Sequence, residues 1–200
     1  MQAAFDIQRV SLGGPIFDLE KLRWLNGLWL REDLTVEQLA DRLIQWGLNK
    51  DALLSVLPHV QQRMETLSDF APKAGFLAAG MLELDEQDFA ANKLSQEDQL
   101  KVLQFTLWLL EGLPDWQREP IFAGLKSLAE GLEIKLKEFL APLFIAIAGS
   151  TSSFSVMDAM VLLGSDISRA RIRHAIEVLG GLSKKRLKAL DKEFRALTKG

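Results

Sequence analysis

Apolar residues recur at three- and four-residue steps along almost all of this 200-residue chain, and nowhere do polar and apolar residues alternate long enough to build a strand. That periodicity admits helices, whose apolar stripes must be buried against one another. The first pattern is Leu19, Leu22, Leu25 and Trp29, with Asp18 placed to accept the unpaired N–H groups of the first turn. Thr35 and Gln38 have capping-box spacing ahead of Leu39, Leu43 and Trp46, and Gly47 ends that helix. A third pattern runs from Lys50 through Leu53, Leu57, Val60 and Met64 to Phe70. Pro58 lies inside it, removes a backbone donor and predicts a kink or a break.

From Ala71 to Asn92 acidic residues and glycines interrupt the period, which predicts short helices and loop with an acidic surface. The pattern resumes after Ser95 with Leu100, Leu103, Leu107 and Leu110. Pro114 is expected to open the next helix, carrying Trp116, Ile121, Leu125 and Leu128, with Pro120 a modest distortion. A further helix is expected from Ile134 to Ile147. It ends at the polar run Gly149-Ser150-Thr151-Ser152-Ser153, read as a turn that also starts a helix from Val156 to Leu163. Gly164 closes that helix, Asp166 or Ser168 opens another, and Ser183 leads into a basic helix ending near Leu197. The expected fold is all-α, two helical-bundle subdomains in tandem with a boundary between Ala78 and Ser95.

Composition narrows the chemistry. With 48% apolar residues the chain can bury a core, and with no Cys it has no disulfide framework, thiolate metal site or cysteine nucleophile. Its two histidines, His59 and His174, have no partner at ligand spacing. The longest apolar run, Phe139 to Ala148, is about half the ~20 residues a bilayer requires, so no membrane partner is expected. No basic segment followed by an apolar core opens the chain, which points to the cytoplasm. Phosphate-loop, nucleophile-elbow, zinc-helix and calcium-loop motifs do not occur. Glu83, Asp85, Glu86 and Asp88 are irregularly spaced and read as solvated charge. Trp24, Trp29, Trp46, Trp108 and Trp116 occupy core-compatible helix positions and are expected inside.

The net charge of −3 is unevenly spread. Residues 1–100 carry nine Lys or Arg against sixteen Asp or Glu, a balance of −7, and residues 101–200 carry fifteen against eleven, a balance of +4. Most of the excess lies after residue 165, where Arg169, Arg171, Arg173, Lys184 and Lys185 begin a basic stretch. Such a stretch suits a polyanion or a solvated helix face.

Three stretches resemble the bacterial glutamyl-tRNA synthetase family. Phe17-Asp18-Leu19-Glu20-Lys21-Leu22-Arg23-Trp24-Leu25-Asn26-Gly27, with Trp29-Leu30-Arg31-Glu32, looks like the helix after that family's catalytic part. Val60-Gln61-Gln62-Arg63-Met64-Glu65-Thr66-Leu67 looks like its first anticodon-binding subdomain. Leu132-Glu133-Ile134-Lys135-Leu136-Lys137, Pro142-Leu143, Ala146 to Gly149 and Leu162-Leu163-Gly164 resemble its last subdomain. With Ser11-Leu12-Gly13-Gly14-Pro15 ahead of them, these cover nearly the whole chain in the family's order. The family's two nucleotide-binding signatures are missing. The resemblance therefore implies a carboxyl-terminal part of a class I synthetase with no catalytic role of its own and no cofactor, the parent enzyme using ATP and Mg. Residues 1–16 would end a stem-contact region, 17–90 form a first anticodon-binding subdomain and 91–200 a second. The implied partners are the anticodon loop and stem of glutamate tRNA and the catalytic half of the same enzyme, with the chain a monomer. The other class of function held open is a helical protein-interaction domain of the same ancestry that does not bind RNA.

Residue by residue, the resemblance implies that Arg63 reads the third anticodon base, a cytosine in glutamate tRNAs. A guanidinium only donates, so it suits the O2 and N3 acceptors of cytosine and would meet the N1–H donor of guanine. Without the resemblance, Arg63 reads as a surface arginine pairing with Glu65 or Asp69. Gly149, Ser150, Thr151, Ser152 and Ser153 correspond to a family loop near the first two bases, and Arg169, Arg171, Arg173, Lys184 and Lys185 are expected to hold RNA phosphates. Phe144 and Ala148 depart from the family, standing where an arginine and a threonine are usual.

Overall fold

The computed structural model describes residues 18–47, 49–151 and 153–198, and the segment 1–16 expected to end a stem-contact region lies outside them. Among the described residues there are helices, turns and loops and no strand, as the periodicity predicts. By packing, the chain divides between Asn49 and Lys50.

The first unit holds α1, Leu19–Leu28, and α2, Val36–Trp46. The expected caps are present. The Asp18 carboxylate accepts the Lys21 N–H at 3.0 Å, and Thr35 and Gln38 form the reciprocal capping box. Helix α1 runs on into a π-helical turn, Trp29–Asp33, where the Arg42 guanidinium lies 5.9 Å from the Trp29 ring centroid. Neither helix buries a residue. Trp24, Trp29 and Trp46, expected inside, are 59%, 39% and 63% exposed, because two helices of ten and eleven residues cannot enclose three indoles.

The second unit, from Lys50 onward, has one continuous core. Helix α5, Gln96–Glu111, carries Val102, Leu103, Phe105 and Leu110 into it. Around α5 pack α6, Arg118–Gly131, α7, Leu136–Ala148, α8, Val156–Val178, and α9, Lys184–Thr198. Each fully buried Leu, Ile or Phe here contributes about 1.5–3 kcal/mol relative to an exposed one. Helix α3, Lys50–Val60, and the short α4, Phe70–Ala74, join the same core through Val60 and Ala74, as does Phe89. The subdomain boundary expected near residue 90 thus lies inside this unit.

One expectation about a helix start needs correction. Helix α6 begins at Arg118 rather than Pro114, and Trp116 precedes it, half-buried, with its indole N–H donating to the Met160 carbonyl at 3.0 Å. The later start puts Pro120 in the first turn, where its missing N–H has no helical partner to lose. The break expected at Gly164 is present: α8 is two helices meeting there, at a φ of 80° and a ψ of 167° open only to glycine. The Met160 carbonyl lies one turn before the break. Trp116 and the buried Ser168 hydroxyl, at 3.3 Å, both donate to it.

No atom would meet a Cβ at Gly164 within 4 Å, so Gly164→Ala isolates backbone strain from crowding. The variant should fold with unchanged helix content and lose about 1–3 kcal/mol of stability, read as a lower urea midpoint at constant slope.

Candidate nucleic-acid interface

Arg63 owes its position to the way α3 ends. Pro58 cannot donate to the carbonyl a turn back, and two residues later the helix tightens into a 3₁₀ turn, Gln61–Arg63, closed by the Met64 N–H on the Gln61 carbonyl at 3.2 Å. Met64 is extended, with φ −102° and ψ 132°. The Asp69 carboxylate then gathers the N–H groups of Glu65 and Thr66, both at 2.8 Å, and turns the chain toward α4. Arg63 is left exposed on the corner. Its Nη1 donates to the Ser153 carbonyl at 3.0 Å, across 90 residues of sequence. Among the described residues no carboxylate forms an ion pair with Arg63, because Asp69 is committed to backbone N–H groups.

The turn that Arg63 touches starts at Gly149, in the left-handed region with φ 67° and ψ 12°, whose N–H bonds the Ile145 carbonyl at 2.9 Å. Gly149, Ser150 and Thr151 are exposed, Ser153 is half-buried, and Ser152 lies outside the described residues. Phe154 anchors the far end. Its buried ring stacks on His59 at 5.3 Å and meets Phe76 at 5.6 Å. Asp158, on the first turn of α8, lies 3.8 Å from His59 Nδ1 and 3.0 Å from Arg118 Nε. Ser155 caps α8 by accepting the Asp158 N–H at 3.4 Å.

The expected phosphate-binding residues are dispersed. Arg171 must be corrected: it is 1% exposed, with Nε donating to the Gly80 carbonyl at 2.7 Å, Nη1 to Ile147 at 2.5 Å and Nη2 to Phe76 at 2.7 Å. Each guanidinium nitrogen is held by a backbone oxygen, and the group cannot reach a phosphate. Burial pushes its pKa down to about 10, which leaves it cationic at neutral pH. Arg169 binds Asp166 at 2.9 Å and the Ser165 carbonyl at 3.2 Å, and Arg173 binds Glu111 at 2.6 Å. Lys184 and Lys185 are exposed at the start of α9, past the carboxyl end of α8. The Gln96 side chain, at one end of α5, donates to the Leu179 carbonyl, while Trp116, past the other end, donates to Met160. Helix α5 therefore runs antiparallel to α8, and the two lysines lie at the opposite end of α8 from Ser153. Phe144 is half-buried against the core and Ala148 is buried.

Sequence reasoning missed the wedge of His59, Phe154 and Phe76, and the internal role of Arg171. No local pattern joins residues 95 positions apart. The one available signal was Phe154 itself, an aromatic directly after a polar turn.

The turn after Arg63 is sensitive to acid. The Thr66 and Glu65 N–H groups hold the Asp69 carboxyl below its ordinary range, so the folded state favours its charged form. The resulting stabilisation is present above the ordinary aspartate range and is lost as pH falls through the lowered value. Amide-proton shifts of Glu65 and Thr66 should move upfield on acidification, and Asp69→Asn should abolish that titration.

A family model described as an anticodon binding domain matches residues 38–176. A glutamate-tRNA ligase from Saccharophagus degradans is 66% identical over 194 residues, 97% of this chain and 39% of that protein. One from Cellvibrio japonicus is 60% identical over 198 residues, 99% of this chain and 39% of that protein. The chain spans about two-fifths of the length of the curated relatives it matches. The crystal structure of a glutamate tRNA ligase from Elizabethkingia meningosepticum, in complex with its amino acid, shares the fold, with a TM-score of 0.59 at 21% identity over 88% of this chain and 35% of that one. The matched segment contains both Arg63 and the turn it touches, and by that match the chain belongs to the anticodon-binding-domain family.

Proposed function

We propose that this chain is the tRNA-recognising part of a glutamate-tRNA ligase, and that Arg63 and residues 149–153 face the anticodon loop of glutamate tRNA. One observation carries the reading: the bond from Arg63 Nη1 to the Ser153 carbonyl joins the two stretches expected to meet RNA on one exposed corner. Only one guanidinium nitrogen is engaged with protein among the described residues. The others can donate to an unstacked base, and a planar fork of donors suits cytosine O2 and N3. The exposed Ser150 and Thr151, each with a hydroxyl that donates and accepts, suit the edges of neighbouring bases.

On this reading the partners are glutamate tRNA, bound by one chain as a monomer in the cytoplasm, and a catalytic half that activates glutamate with ATP and magnesium. Arg169, Arg173, Lys184 and Lys185 then add phosphate contacts beyond the anticodon bases. Arg169 and Arg173, already ion-paired, contribute less than the two lysines, whose charges have no ion-pair partner among the described residues.

Titration with glutamate tRNA at two salt concentrations tests the assignment. Affinity should fall linearly in log salt, and Lys184→Ala or Lys185→Ala should shallow that slope by up to about one unit without changing base preference. Arg63→Ala should remove the preference for cytosine at the third anticodon position, worth about 1–3 kcal/mol. Equal preference in wild type and Arg63→Ala would exclude Arg63 as the reader, and salt-independent binding would exclude an RNA role.

A further inference from the structure

The Arg171 guanidinium touches three backbone carbonyls, and two of them border the proposed reading corner. The Ile147 carbonyl lies two residues before Gly149, where α7 gives way to the turn, and belongs to the last turn of the helix, whose carbonyls have no helical partner. Phe76, in the 3₁₀ turn Gly75–Ala78, has its carbonyl on Arg171 and its ring against Phe154, directly after the turn. The Gly80 carbonyl is the third acceptor; that residue, at φ 63°, ends the stretch running from α4. The donor comes from the second half of α8, which is buried through Ser168 before it and Ile172 and Ala175 after it.

We propose that Arg171 is a positioning residue for RNA recognition: from inside the fold it holds both ends of the 149–153 turn at one spacing from Arg63 without touching RNA. Three acceptors in three directions need the planar guanidinium. An ammonium at the end of a lysine is a point charge, and a methionine supplies only the volume. The proposal rests on the anticodon reading for its consequence, but the clamp can be measured without RNA.

Because the chain has no cysteine, spin labels at Gln62→Cys and Thr151→Cys, both exposed, report a single distance by electron–electron double resonance. The otherwise native chain should give one narrow distribution. In Arg171→Met and Arg171→Lys, at temperatures where circular dichroism shows them folded, it should broaden at least twofold. The same variants should bind the glutamate tRNA anticodon stem-loop about tenfold more weakly, with the preference over anticodon-changed stem-loops falling toward one. Should the methionine variant not fold, the lysine variant, which keeps a cation inside, decides. A native-like distance in a folded variant, or weaker binding with base preference intact, would overturn the proposal. If the native chain does not bind the stem-loop at all, the anticodon reading fails while the distance measurement still judges the clamp.

Discussion

The constraint on which the second unit depends is a buried cation, Arg171, with no carboxylate paired to it among the described residues. Arg171 places a charge where it is 1% exposed, a situation made tolerable because each guanidinium nitrogen meets an oxygen. Three backbone carbonyls, one at the end of α7 and two in the stretch after α4, do this, and so these segments are held relative to α8. Remove the guanidinium and those carbonyls lose their partner; for the buried Ile147 carbonyl an unmet acceptor costs on the order of 1–3 kcal/mol. One side chain thus joins α8, the end of α7 and the strand-free stretch between α4 and α5.

Around Arg171, the exposed corner at Arg63 and Ser153 is made where helices stop. Helix α3 ends at Val60 and Arg63 emerges on the 3₁₀ turn that follows, and Gly149 lets α7 finish in the left-handed region. Phe154 then fills the space between His59 and Phe76 and brings the Ser153 carbonyl within reach of Arg63. A rigid helical scaffold with short interruptions suits single-stranded RNA, whose unstacked bases present edges and phosphates in fixed relation to one another. Hydroxyls and a guanidinium with no ion pair among the described residues are the chemistry displayed there.

What could be read from residue order were the features set within a few residues. Asp18, the Thr35 and Gln38 pair, Ser95 and Gly149 cap helices as their types require, whereas α3 runs through Pro58 to Val60. The start of α6 was not legible because Trp116 turns its indole to the Met160 carbonyl, 44 residues away. The same limit explains Arg171 and the three exposed tryptophans. A charge in a basic run and an indole in an apolar stripe have their usual fates on average, and tertiary packing decides each case. Arg63 was placed by its resemblance to the glutamyl-tRNA synthetase motif. That it would meet Ser153 could not be deduced from spacing.

The most direct measurement is an amide hydrogen-exchange footprint of this chain with and without the anticodon stem-loop of glutamate tRNA. If one corner reads the loop, residues 61–65 and 149–154 slow together on adding RNA, and both regain their free rates when the third anticodon base is changed at the same RNA concentration. Protection confined to residues 184–188, or to one of the two corner stretches without the other, would contradict the account.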